Sequence, residues 1–417
     1  MKKILIEGGK KLSGSVNIGG AKNSVVALLP ASLLADDVVT INNVPNISDK
    51  DAIVLIMKLL GANIKSNKDT LVIDSTNVHN ELVPVELSNK LRASYYFMGI
   101  LLTKYKHAEV YLPGGCNIGS RPIDLHLKGF EALGAKVTRE DDKYILDAEE
   151  LIGCPINLDF ASVGATINIM FAAVKAKGTT TIYNAARETE IMNIADLLNK
   201  MGANISGAGT STITINGVKK MHGGKISVIP DRIEDGTYII IGALLGKDFT
   251  VKGIIPEHLK ALFSKLNEMN VSYQLKGDKV IINKCDDIKP VNVKTLVYPG
   301  FPTDLGQPIQ VLLTQANGKS LFEETIWENR MGHVKQLNKM GTDITIKGSM
   351  IIINGPSKLK GCEINATDLR GGAALVLAGL IADGITTIND ADYILRGYEK
   401  IIEKLSNVGA QIKIIDE

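Results

Sequence analysis

Arginine is scarce in this chain, and its positions indicate what the protein could hold. Eight Arg (92, 121, 139, 187, 232, 330, 370 and 396) stand against 39 Lys. A guanidinium is a planar, permanently charged fork that matches phosphate and carboxylate, whereas an ammonium is a flexible point charge. Positions that take Arg in a lysine-rich chain therefore point to a small, multiply charged anion. A thiol accompanies them in Pro113-Gly114-Gly115-Cys116-Asn117-Ile118-Gly119-Ser120-Arg121-Pro122. Three Gly make that segment a poor core and a good loop, and an ensuing helix start and Arg121 would both favour the thiolate of Cys116. No His lies near it in sequence, so a papain-like nucleophile is not indicated. Proton transfer or covalent capture of an electrophile fits better. The third candidate is Asp304, in Gly300-Phe301-Pro302-Thr303-Asp304. Taken alone, either Thr303 or Asp304 reads as a helix cap, as do Asp49, Asp231 and Asp368. Asp304 stands apart because its repeat-equivalents are mostly cations; a carboxylate among them stays ionised and could accept a proton from a hydroxyl.

Those equivalents exist because the chain repeats itself six times. A motif Leu/Met-Gly-Ala-x-Ile/Val recurs at Gly61, Gly134, Gly202, Gly341 and Gly409, with a degenerate copy at Asn270, at intervals of 68 to 73 residues. Such a period fixes the architecture before any other argument. Repeat one reads in order as a strand (14–18), an apolar helix (21–35), a strand (38–42), a second helix (49–60) and a hairpin (63–66 and 70–74), a βαβαββ unit. Gly61 stops its second helix as a left-handed residue, for which Gly has no Cβ penalty. Counted back from each anchor, Arg92, Arg232 and Arg370, with Lys22 and Asp304, fall where the first helix begins. Arg121, Arg187, Arg330 and Arg396, with Asp49, fall where the second begins; only Arg139 lies outside both bands. Helix starts favour anions through free N–H groups and the dipole. Six units suggest two lobes of three, each with its starts on one face, and a cleft for the anion where the two lobes meet.

Composition narrows the classes. With 45% apolar and 22% charged residues and a net charge of +2, the chain is ordinary globular material with no basic stripe for nucleic acid. The N-terminal Met1-Lys2-Lys3-Ile4-Leu5-Ile6 meets Glu7 before an apolar signal could form, and no apolar stretch reaches spanning length. A cytoplasmic protein without membrane insertion is expected. Cys116, Cys154, Cys285 and Cys362 lie far apart without CxxC, and the six His are scattered. No metal, no cofactor and no obligatory protein partner are inferred, and the last three Cys read as small buried residues.

Several blocks together resemble one family. They are Gly20-Ala21-Lys22-Asn23, Leu91-Arg92-Ala93-Ser94, the Cys116 loop, Ser162-Val163-Gly164-Ala165-Thr166, Phe301-Pro302-Thr303-Asp304, Glu328-Asn329-Arg330, 366–370 and Arg396-Gly397-Tyr398-Glu399. In this order, and from end to end, the chain is similar to the UDP-N-acetylglucosamine enolpyruvyl transferases. The resemblance implies an α/β fold of two inside-out α/β barrel lobes, each of three βαβαββ repeats, with an interdomain cleft. One lobe would span 21–229 and the other 1–20 with 230–417. It also implies transfer of the enolpyruvyl group of phosphoenolpyruvate to the 3′-hydroxyl of UDP-N-acetylglucosamine, the first committed step of peptidoglycan synthesis. Lys22, Asn23, Arg121, Arg370 and Arg396 would hold phosphoenolpyruvate. Cys116 would protonate its methylene and be the fosfomycin target. Arg92, Arg121, Pro122, Ile123, Asp124, Leu125, Ser162, Val163, Gly164 and Ile326 would contact the sugar nucleotide, with Asp304 acting on its 3′-hydroxyl.

Two positions depart from the pattern: Phe160-Ala161 stands where some relatives carry Lys, and Leu395 where many carry an acid. Neither touches Lys22, Cys116 or Asp304. The nearest rival, a sister enzyme acting on shikimate 3-phosphate, would lack the Cys loop. A repeat-built scaffold or RNA binder would show charged tails or a basic stripe, and this sequence has neither.

Overall fold

The computed structural model describes residues 2–90, 92–111 and 123–416. They divide into two compact units, 2–19 with 230–416 and the described residues of 20–229. Each has its own apolar core.

In the unit of 20–229, the helices Lys22–Ala31, Tyr96–Tyr105 and Val163–Ala173 are buried along almost their whole length. Their sequences are apolar all round, which a helix tolerates only when every face is covered. The sheets around them alternate, as in Thr179–Tyr183, where Thr180 and Ile182 are buried and their neighbours face out. Period-two burial of this kind marks a sheet with one covered face. Outer helices such as Thr189–Lys200 carry a polar stripe. The layers are thus helices inside and sheets outside. The other unit repeats the plan around Arg232–Leu245, Gly306–Leu313 and Leu369–Ile381, which pack on one another in all three pairings.

The repeat is legible in each sheet. Asn292–Lys294 runs parallel to Lys319–Glu323, across an intervening helix, and Asp343–Lys347 and Met350–Asn354 add an antiparallel hairpin. The strand read as opening repeat one joins another repeat's sheet. That strand, Ser15–Asn17, pairs with Phe249–Lys252, while Lys225–Ser227 takes the place beside Val38–Asn42. Likewise Lys2–Glu7 sits between Ile385–Asn389 and Gln411–Asp416 in the last repeat's sheet. Short strands with one parallel neighbour carry no sequence mark of which sheet they join.

The motif that announced the repeats has a backbone cause. Gly61, Gly134, Gly202, Gly341 and Gly409 have φ between 92° and 103°, and Asn270 adopts the same left-handed state at 67°. Asn tolerates that region better than other residues with a Cβ, which explains the degenerate copy. The helix expected over 21–35 ends at Ala31 and continues as a 3-10 turn, Ser32–Leu34. No helix among the described residues is long and apolar enough to cross a membrane.

Candidate active site

The unit containing 230–416 gathers its charges at the starts of its central helices. Asp304 lies in the 3-10 turn Thr303–Leu305 that leads into Gly306–Leu313, and Arg370 is the second residue of Leu369–Ile381. Arg330 comes two residues before Gly332–Lys339. Arg330 Nη2 donates to Asp304 Oδ1 at 2.7 Å, and Arg370 donates through Nη2 at 3.0 Å and Nε at 3.2 Å to Oδ2. Both carboxylate oxygens are therefore gripped. Burial alone would raise the Asp304 carboxyl, but Arg370 and Arg330 outweigh it and hold it well below the usual carboxylate range. Opposite charges within hydrogen-bond reach favour the ionised form in this way.

Asp304 does not cap a helix, contrary to the simplest reading: the cap position is Pro302, without a side-chain bond. Asp231 and Asp368 do cap. Asp231 accepts from Ile233 N and Glu234 N at 2.9 and 3.2 Å, and Asp368 from Arg370 N and Gly371 N at 3.0 and 2.9 Å.

Arg370 is 2% exposed and lies over the Tyr398 ring at 5.2 Å. Burial would lower it, yet Tyr398, Asp304 and Asp231 carry it well above an ordinary arginine. Arg370 Nη1 and Arg330 Nε are buried donors with no acceptor among the described residues. His333 shares a hydrogen bond with Gln310 at 3.1 Å, and burial, helped by the charge of Arg330, pushes its imidazole down to about 4. Arg396, expected at a helix start, instead ends the short helix Asp392–Leu395 and is half-buried. That turn closes before Ile401–Asn407 begins, which shifts Arg396 off the band.

The unit of 20–229 carries the other candidates. Lys22 opens the helix Lys22–Ala31 and pairs with Asp49 at 2.9 Å, with Asn23 half-buried beside it. Asp49 therefore pairs rather than caps; Ile47 holds the cap position of Ser48–Leu59. Ser162 caps Val163–Ala173, its hydroxyl accepting from Ala165 N at 3.3 Å. Ile123 is buried at the cap position of Asp124–Ala132, Asp124 is exposed in the first turn, and Leu125 is half-buried. His126 ties these starts together: its Nδ1 meets Asn168 Nδ2 at 2.8 Å, and its ring meets Tyr95 edge-on at 4.8 Å.

Gly164 presses on the same histidine, since a Cβ there would lie 2.9 Å from His126 Cε1 and 3.0 Å from the Tyr95 hydroxyl. Gly164→Val should therefore lower stability by about 1–3 kcal/mol through overpacking. An unmoved urea midpoint would show that the pocket yields instead. The backbone of Arg92 enters the 3-10 turn Arg92–Tyr95 ahead of Tyr96–Tyr105. Cys116, Arg121 and Pro122 lie outside the described residues.

The other cysteines are half-buried rather than buried. Cys154 and Cys285 donate to the carbonyls of Ala132 at 3.2 Å and Asn270 at 3.4 Å, and burial raises both thiols. Three members of the Asp304 cluster escaped the residue-by-residue reading. Arg330 was signalled by its band but given no role, Thr303 read only as a possible helix cap, and Glu324 gave no signal. Ile326 is half-buried, and its N–H donates to Glu324 Oε1 at 2.8 Å.

The site is thus an ionised carboxylate held by two guanidiniums near helix starts, in a helix-in, sheet-out repeat. The EPSP synthase (3-phosphoshikimate 1-carboxyvinyltransferase) family matches residues 6–405. The chain belongs to this family of enolpyruvyl (1-carboxyvinyl) transferases and has its fold. Among solved structures, the enolpyruvyl transferase NikO from Streptomyces tendae superposes with a TM-score of 0.91 at 26% identity, covering 99% of both chains. An EPSP synthase from Acinetobacter baumannii shares the fold at a TM-score of 0.76, with 18% identity over 100% of both chains. Within the family, the chain is 51% identical over 100% of both chains to UDP-N-acetylglucosamine 1-carboxyvinyltransferase 2 of Streptococcus pyogenes serotype M1. It is equally similar to UDP-N-acetylglucosamine 1-carboxyvinyltransferase 1 of Streptococcus agalactiae serotype Ia, at 51% identity over 100% of both chains.

Proposed function

We propose that this enzyme transfers the enolpyruvyl group of phosphoenolpyruvate to the 3′-hydroxyl of UDP-N-acetylglucosamine, releasing phosphate. In the cell this would be the first committed step of peptidoglycan synthesis, carried out in the cytoplasm without metal or cofactor. Full-length relatives at half identity support the choice of acceptor. The observation that carries the chemistry is the grip of Arg330 and Arg370 on Asp304.

In the addition step the 3′-oxygen bonds to C2 of phosphoenolpyruvate, Cys116 delivers a proton to the methylene carbon, and Asp304 takes the hydroxyl proton. In the elimination step the methyl carbon returns a proton and the C2–O bond to phosphate breaks, leaving the enol ether. Asp304 as described is ionised but a weak base, because two cations hold it. A substrate carboxylate or phosphate drawing on Arg370 would relax that hold and raise its basicity when the acceptor hydroxyl needs it. The spare donors on Arg370 and Arg330 suit such an anion. Lys22, Asn23, Arg121 and Arg396 complete its binding. Arg92, Arg121, Pro122, Ile123, Asp124, Leu125, Ser162, Val163, Gly164 and Ile326 line the nucleotide sugar.

Phosphate release from phosphoenolpyruvate should appear only when UDP-N-acetylglucosamine is added. Equal release with shikimate 3-phosphate, or none with either acceptor, would defeat this reading.

A further inference from the structure

We propose that Glu324 is a positioning residue for the transfer, fixing the Asp304 turn and the Ile326 turn in one register. This rests on the roles given above to Asp304 and Ile326. Glu324 is 5% exposed at the end of the strand Lys319–Glu323. Its Oε2 accepts from the Thr303 hydroxyl at 2.8 Å. Its Oε1 accepts from the Thr295 hydroxyl at 2.8 Å and from the backbone N–H groups of Ile326 at 2.8 Å and Trp327 at 3.3 Å.

The direction of these bonds matters. A threonine hydroxyl has one proton and two lone pairs, and an ionised carboxylate can only accept. With its proton committed to Glu324, Thr303 presents a lone pair to Arg330 Nη1, which donates to it at 2.9 Å. The other nitrogen of the same guanidinium holds Asp304 Oδ1 at 2.7 Å. Glu324 thus orients Thr303, Thr303 seats Arg330, and Arg330 aims the carboxylate that would take the substrate proton. The second oxygen sets the backbone at Ile326, where the sugar nucleotide would rest. One buried acid serves the reacting group through one oxygen and the acceptor's contact through the other.

Glutamine at this position keeps the shape and one accepting oxygen but must turn an NH2 toward one of its donors. If it keeps the Ile326 and Thr295 bonds, it faces Thr303 donor to donor and the hydroxyl loses its acceptor. Small displacements of a catalytic group cost up to about 100-fold in rate. Glu324→Gln should therefore lower kcat about 10- to 100-fold. Thr303→Val should produce a comparable fall in kcat with KM for UDP-N-acetylglucosamine unchanged, and Thr303→Ser should restore turnover to within about threefold of the parent. Because the two residues act in series, the double variant Glu324→Gln/Thr303→Val should be no slower than the worse single change by more than about threefold.

Multiplicative losses in the double variant, or kcat of Glu324→Gln within about threefold of the parent, would overturn the proposal. So would a lowered Tm with normal kcat for the folded fraction, since that is what a purely structural acid would give. If the parent itself fails to turn over UDP-N-acetylglucosamine, the function reading falls, and Glu324 is then judged by crystal structures of Glu324→Gln and Thr303→Val. Loss of the Arg330–Asp304 bond in both would uphold the positioning chain, and its retention in both would end it.

Discussion

Asp304→Asn should leave a folded enzyme that turns over about 100- to 10,000-fold more slowly, the range typical of a lost general base. Asparagine keeps the size of the side chain and one accepting oxygen, so one arginine retains its partner. It cannot take up a proton at neutral pH, which is the property the transfer needs. The loss should fall on kcat, with KM for UDP-N-acetylglucosamine changed by only a few-fold, because binding draws on many other contacts. Asp304→Ala is a poorer test, since Arg330 and Arg370, 6% and 2% exposed, would be left facing each other without a counter-ion. Breaking a buried ion pair by removing one partner costs about 3–5 kcal/mol. Steady-state kinetics on Asp304→Asn decide the matter: kcat within tenfold of the parent would remove Asp304 from the proton-transfer role.

Lys404→Met should destabilise the fold by about 3–5 kcal/mol near neutral pH, for the same reason. Lys404 Nζ meets Glu234 Oε1 at 2.6 Å, with side chains 15% and 5% exposed. Glu234 also accepts from Gly19 N at 3.1 Å, and Asp231 and Asp235 stand nearby in sequence and charge. Burial raises the Glu234 carboxyl despite Lys404, and burial with the charges of Asp231 and Glu234 raises Asp235 well above the usual range.

The sign of the pH effect follows from these directions. A carboxyl whose folded pKa exceeds its unfolded one binds more protons in the native state between the two values, so stability falls as pH rises through that window. Without the ammonium, the burial and repulsion remain and the window widens upward. Urea unfolding should therefore show a larger deficit for Lys404→Met at pH 8 than at pH 5. A deficit that is flat with pH, or under about 1 kcal/mol at pH 8, would mean that Glu234 finds another partner.

The sequence was most legible where backbone geometry constrained residue type. The left-handed anchors admit Gly or Asn and little else, so the six-fold period could be counted from Gly61 to Gly409. The buried helices were legible because Val163–Ala173 is apolar on every face. Pairing was not legible: Ser15–Asn17 and Lys225–Ser227 are three-residue strands, too short for a hydrophobic pattern to choose between sheets. In the site, the arginine bands put Arg370 at a first-helix start and Arg330 at a second-helix start, and the structure has them at the start of Leu369–Ile381 and just ahead of Gly332–Lys339. The same bands misplaced Arg396, because the chain makes an extra short helix before Ile401. Glu324 was hidden for a different reason. Its work is done through hydrogen-bond direction, with partners 29 and 21 residues away, and no local spacing encodes that.

The placement of Lys2–Glu7 imposes an order on biosynthesis. This strand bonds on one side to Ile385–Asn389 and on the other to Gln411–Asp416, so both of its hydrogen-bonding edges are matched only once those distant segments have been made. Ser15–Asn17 likewise waits for Phe249–Lys252. The stretch beginning at Gly20 meets its last pairing strand at Lys225–Ser227, long before Gln411–Asp416 is made. The unit that holds Lys2–Glu7 therefore closes its sheets after the unit of 20–229 has its strands in hand.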